Sequence, residues 1–200
     1  MDIRNETRKV ILKDGNKLLR NTDFSFPVIA WHPDRKVLAI ATEKKGKCWL
    51  YIYKISDGSL EEKELFAMDK VMSMAYHPDG KTMVLSAASM GRTNLYKYFL
   101  TGNRSMPITN DDYNQLEPSY HPSGEFIYYV SNQPDTSQSS FGLIPSYDIY
   151  KIDDKSKVTQ LTFTPKVNER KPLVYSGDTF TYLADELGYY NRYFGNKDSS

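Results

Sequence analysis

Three times in this chain an aromatic residue is followed by His-Pro and a polar corner, and each corner leads into an apolar run. The instances are Trp31-His32-Pro33-Asp34-Arg35, Tyr76-His77-Pro78-Asp79-Gly80 and Tyr120-His121-Pro122-Ser123-Gly124. Proline presets the backbone angle at the second position of a type I turn, Asp or Ser follows it, and Gly ends it. Arg35 stands where the other two corners have glycine, which a type I turn tolerates. The runs that follow, Val37 to Ala41, Thr82 to Ser86 and Phe126 to Val130, are rich in β-branched, aromatic and aliphatic residues. They read as strands, and their near-continuous apolarity predicts burial on both faces.

The period is regular. Pro33 to Pro78 is 45 positions and Pro78 to Pro122 is 44, within the range of propeller blades, which carry four strands each. Gly46 and Gly91 each follow their proline by 13 residues and lead into aromatic third strands, Trp49 to Ile55 and Asn94 to Phe99, with a sibling at Tyr147 to Ile152. A further turn and a short fourth strand close each unit, ending at Phe66, Thr109 and Thr162.

The spacing predicts an all-β fold, a β-propeller of four-stranded antiparallel blades. Blades are expected over 26–66, 67–109 and 110–162, the last with an inserted loop at 132–146, followed by an incomplete blade at 163–200. Ahead of them, 1–25 reads as the last strand of a preceding blade (Thr7 to Leu12) and a connection. The incomplete blade has strands near Lys171 to Tyr175, Thr179 to Ala184 and Tyr189 to Phe194, and its corner is Tyr175-Ser176-Gly177-Asp178. Sixteen strands in all fit two pictures: a closed four-bladed ring, or, the expectation here, part of a larger propeller.

Composition narrows the partners. Lys plus Arg number 26 against 25 Asp plus Glu, so no long-range field favours nucleic acid. Basic residues such as those of Glu43-Lys44-Lys45-Gly46-Lys47 read as a solvated turn. No apolar run approaches the roughly 20 residues of a membrane span, and MDIRNETRKV has no signal-type segment. The expected location is therefore periplasmic or secreted if an export signal lies outside this chain, and cytoplasmic otherwise. The single cysteine, Cys48, excludes an internal disulfide framework and reads as an inert buried thiol.

The search for chemistry returns little. His32, His77 and His121 occupy one slot of the repeat, which spreads them around a ring, whereas zinc needs its ligands within about 2.1 Å of one ion. Each imidazole is expected to bond within its own turn, and no metal or cofactor is expected. Nucleophile elbow, Walker loop, metalloprotease and dinucleotide motifs are absent, so the chain reads as non-enzymatic. Asp111-Asp112 and Asp153-Asp154 read as turn caps.

One segment breaks the period, Asn132 to Ser146. A loop that long in a compact repeat is functional or disordered. In a propeller, turns between second and third strands open on the same face as the blade-to-blade connections. That groups the insert residues Asp135, Phe141, Leu143 and Ile144 with Asp111, Asp112, Tyr113 and Asn114. Glu169 and Arg170 join them from the next connection, and Asp185 and Glu186 from the last turn. These are the candidate partner-binding residues, and the partner class is a protein or peptide.

The pattern of aromatic-His/Ser-Pro-Asp-Gly-Lys, apolar strand, Gly turn, Asp/Asn-aliphatic-Tyr strand and closing Leu/Ile-Thr resembles the WD-repeat-like blade of TolB-type β-propellers. It is carried by Tyr76 to Lys81, Asn94-Leu95-Tyr96 and Ile108-Thr109, and again by Tyr120 to Glu125, Asp148-Ile149-Tyr150 and Leu161-Thr162. The resemblance implies a protein-binding propeller of the bacterial cell envelope, where TolB contacts a peptidoglycan-associated lipoprotein. It is similar also to the gating propeller of prolyl oligopeptidases, which makes an accessory domain of a larger hydrolase the alternative.

Overall fold

The computed structural model describes residues 9–12, 27–134, 146–177 and 179–196. They form fifteen strands in four sheets and no helix. The first sheet contains β1 (Val28–Trp31), β2 (Val37–Lys44), β3 (Lys47–Lys54) and β4 (Leu60–Glu64). The second contains β5 (Lys70–Tyr76), β6 (Thr82–Ser89), β7 (Arg92–Phe99) and β8 (Arg104–Pro107), and the third β9 (Gln115–Tyr120), β10 (Phe126–Ser131), β11 (Asp148–Asp153) and β12 (Val158–Gln160). The fourth has three strands, β13 (Glu169–Ser176), β14 (Thr179–Ala184) and β15 (Asn191–Asn196). Within every sheet the strands run in chain order and pair antiparallel. Of the strand expected over Thr7 to Leu12, only 9–12 are described, and they hold no strand.

The sheets stack face on face like spokes. Their first strands contact one another in succession, β1 with β5, β5 with β9 and β9 with β13, along a common inner line. Successive strand residues point to opposite faces, so each middle strand serves two interfaces. Met83, Leu85 and Ala87 of β6 pack toward the first sheet against Ala39, Ala41, Leu50 and Ile52. Val84 and Leu95 pack the other way, against Ile127, Tyr129, Tyr150 and Ile152 of the third sheet. Tyr128, Val130 and Ile149 then meet Phe180 of the fourth. This accounts for the continuous apolarity of the second strands. A unit of this size buries too little surface alone, and each large apolar side chain sealed between blades contributes about 1.5–3 kcal/mol. Cys48 belongs to the first interface, where burial pushes its thiol up.

The corner histidines do more than brace their own turns. Within the turn, Nδ1 accepts the backbone N–H of Asp34 at 3.3 Å, of Asp79 at 3.1 Å and of Ser123 at 3.0 Å. The other nitrogen crosses to the next blade: Nε2 of His32 lies 3.2 Å from the Gly80 carbonyl and Nε2 of His121 3.1 Å from that of Gly177. A carbonyl can only accept, so Nε2 carries the proton. His77 sits against Gly124 in the same way, and a Cβ at Gly80 or Gly124 would fall 2.2 or 2.4 Å from the imidazole. Both glycines also have positive φ, +70° and +81°. Two independent requirements therefore select glycine there. Arg35 has neither an imidazole against it among the described residues nor a glycine's freedom, and it takes a φ of 59°.

A second set of ties runs along the inner strands. Glu117 and Lys171, each followed by proline, sit at bulges with φ of 50° and 51°. Proline has no ladder hydrogen to lose at a bulge. The Glu117 N–H donates to Ser73 Oγ at 3.0 Å, and the Glu117 carboxylate accepts the Lys171 N–H at 2.7 Å. Second, third and fourth sheets are thus laced together near the axis.

Candidate functional site

The second-to-third-strand turns and the blade connections meet on one face. The Met90 N–H donates to Asp69 at 3.0 Å, and Asn114 N–H to the Asn132 side chain at 2.7 Å. Asn168 closes the series by donating its backbone N–H to Asp185 Oδ1 at 2.6 Å and its amide to Oδ2 at 3.0 Å. These two bonds, the side-chain one foremost, hold the Asp185 carboxyl below the usual range. Each tie joins a turn to the connection that enters the same blade.

The candidate residues divide by what their side chains already hold. The Asp111 carboxylate accepts the Tyr113 N–H at 2.9 Å and the Gln115 amide at 2.9 and 3.1 Å, so it caps its own connection. Asn114 also donates to the Tyr147 hydroxyl at 3.4 Å. Glu169 is 1% exposed, and Thr162 and Thr164 donate to its carboxyl. Burial pushes that carboxyl up, against the pull of the two hydroxyls. Asp112, by contrast, is exposed and pairs with Arg92 at 2.9 Å, Arg170 lies 3.7 Å from Glu117, and Glu186 accepts the Tyr193 hydroxyl at 3.2 Å. Such surface pairs are worth about 0–1 kcal/mol and open readily. Tyr113 is half-buried. Asp135, Phe141, Leu143 and Ile144 lie outside the described residues.

Polar residues alone do not define this face. Phe66 in the first connection, Met90 in the β6–β7 turn, Phe163 in the third connection, and Leu187 and Tyr189 in the β14–β15 turn are all exposed, Met90 at 94%. Sequence reasoning passed over them because they lie in four separate loops, far apart along the chain. Their common face emerges only when four turns are superposed. Basic residues of the first turn are engaged sideways: Lys44 reaches Glu62 and Lys47 reaches Glu64, both at 2.7 Å. At the opposite end of the first two blades, His32, Tyr76, Gly80, Glu61 and Lys63 border a cavity of about 480 Å³. Burial there pushes the Tyr76 phenol up to about 12.

Sheets stacked about their first strands, with sequential four-stranded order, match solved structures closely. A TolB crystal structure from Acinetobacter baumannii superposes over 86% of this chain with a TM-score of 0.70 and 22% identity. This is the fold of a TolB-type β-propeller. An Agrobacterium tumefaciens chain assigned as TolB gives a TM-score of 0.67 at 21% identity over 87% of this chain. A prolyl endopeptidase gives 0.60 at 12% identity over 84%, which is 26% of its own length. The TolB-like chain spans 41% and 59% of the two TolB chains. No protein-family model matches it, and no curated protein does. Identity at this level establishes the TolB-like fold and leaves function to be argued from the surface.

Proposed function

We propose that this TolB-like propeller is a non-enzymatic interaction module that presents its turn-and-connection face to a protein or peptide partner in the bacterial cell envelope, with a periplasmic location. The observation that carries this reading is the set of exposed apolar side chains, Phe66, Met90, Phe163, Leu187 and Tyr189, on a face whose backbone N–H groups are held by the side chains of Asp69, Asp111, Asn132 and Asp185. Aromatic and Met anchors in a rim of pairable charge are the residue types of protein interfaces. Pinned turns lose little entropy on binding, which favours affinity. Arg170, Asp112 and Glu186 supply the rim.

The test is capture of envelope proteins by the chain, followed by the triple variant Phe66→Ser, Met90→Ser, Phe163→Ser. A partner held by the parent and released at least tenfold by the variant, with the melting midpoint unchanged, supports the reading. Retention of the partner by the variant contradicts it. The second reading, an accessory propeller of a larger hydrolase, is supported by the likeness to prolyl endopeptidase. It requires binding to a catalytic α/β domain through this or the opposite face, and the identity of the captured protein separates the two.

A further inference from the structure

The cavity between the first two blades lies away from the turn-and-connection face, and its volume of about 480 Å³ is that of a small-molecule site. Val37, Ile52 and Leu100 form its apolar wall. Tyr76 borders it at 8% exposure, with its hydroxyl buried and without a hydrogen-bond partner among the described residues. Buried polar groups are almost always bonded, so an orphan hydroxyl on a cavity wall calls for an occupant. Burial keeps the phenol protonated at neutral pH, which leaves it a donor. Lys63, whose side chain is 14% exposed, donates to Glu61 at 2.6 Å. An ammonium has three N–H donors, and Glu61 engages one of them. His32 also lines the cavity, but both its nitrogens are engaged, by Asp34 and Gly80.

The repeat does not require this lining. Leu50, Leu95 and Ile149 hold the same place in their third strands, opposite Ala41, Ser86 and Val130. Lys63 stands beside Leu50 where Ile108 and Leu161 stand beside the other two. Glu61 faces Ile52 where Met106 faces Lys97 and Thr159 faces Lys151. Of the three blades with four strands, the first alone sets a charged pair at these positions.

We infer that the cavity binds a small zwitterion with an apolar side chain, of amino-acid type. Its carboxylate takes the Tyr76 O–H and a Lys63 N–H, its ammonium meets Glu61, and its side chain covers Val37, Ile52 and Leu100. The charged lining is one positive and one negative group, which a zwitterion matches. A simple anion meets Glu61, and a simple cation leaves the Tyr76 hydroxyl unpaired.

The probe is L-phenylalanine added to the isotope-labelled full chain, compared with 3-phenylpropanoate and phenethylamine, which lack its ammonium and its carboxylate. The expected result is saturable shifts at the amides of Gly80, Thr101 and Gly102, with both comparators binding more weakly. Tyr76→Phe removes only the hydroxyl and should weaken phenylalanine about tenfold, the weight of a hydrogen bond to a charged group. Glu61→Gln should reverse the preference between phenylalanine and 3-phenylpropanoate, which a loss of packing would not do. Four results overturn the inference: no saturable shifts at millimolar phenylalanine, equal binding by Tyr76→Phe, an unchanged preference in Glu61→Gln, or equal shifts at the His77 and Gly124 corner. None of these outcomes bears on partner capture by the exposed apolar face.

Discussion

Gly80 and Gly124 show how much one missing methyl group can decide. Alanine at Gly80 carries about 1–2 kcal/mol of left-handed strain and meets the His32 ring as well. Gly80→Ala should therefore cost about 3 kcal/mol in denaturant unfolding. In a His32→Ala background the same change should cost only the strain, about half as much. Equal costs in the two backgrounds would mean that the imidazole does not sit there. Glu169 gives a pH signature of definite sign. Its carboxyl is raised in the folded chain, so the unfolded chain ionises first as pH climbs past about 4.5 and folding loses free energy above that point. Glu169→Gln should raise the melting temperature at pH 7 to 8, with the gain shrinking toward pH 4. The sequence showed the histidines as a repeated slot and their turns as type I corners. It hid the second ring nitrogen, because a contact 48 residues away leaves no local trace. It grouped Glu169 and Asp111 with the partner-binding candidates, yet both carboxylates are engaged within their own connections, whose polar groups must first be satisfied.

Strands were legible wherever the apolar runs were long. The second and third strands stand where the apolar runs put them, and even the irregular last unit kept its Asn-x-Tyr row. The fourth strands β4, β8 and β12 are short and largely exposed, so little in their composition distinguishes them from turns. What fixes β8 and β12 is the aliphatic-Thr pair that follows each: the N–H of Ile108 or Leu161 meets the carbonyl of Leu95 or Ile149, and the hydroxyl of Thr109 or Thr162 accepts that same residue's N–H. Thr109→Val keeps the volume but strands the Leu95 N–H in a buried place, which should cost about 1–3 kcal/mol. Hydrogen exchange at Leu95 should quicken in that variant and stay slow in Thr109→Ser. Slow exchange in both would mean that another acceptor serves Leu95.

At the scale of the whole molecule, three interfaces seal both faces of the inner blades, whereas the far side of the fourth sheet exposes Leu173, Tyr175 and Phe194, the last two at 74% and 67%. Tyr175 and Phe194 also stack edge to face with centroids 6.1 Å apart. Contiguous apolar surface of this kind drives association. The double variant Tyr175→Lys, Phe194→Lys should lower any concentration-dependent mass seen by sedimentation, while the unfolding midpoint moves little. An unchanged mass distribution in a self-associating chain would place the contact elsewhere. Everything else, from the pinned face to the sealed interfaces, depends on blades following one another around an axis in chain order. Proton-proton contacts by nuclear magnetic resonance test that order most directly. A radial stack requires signals from the rings of His32 and His77 to the α-protons of Gly80 and Gly124 respectively. Absence of both, or contacts joining sheets that are not consecutive, would contradict it.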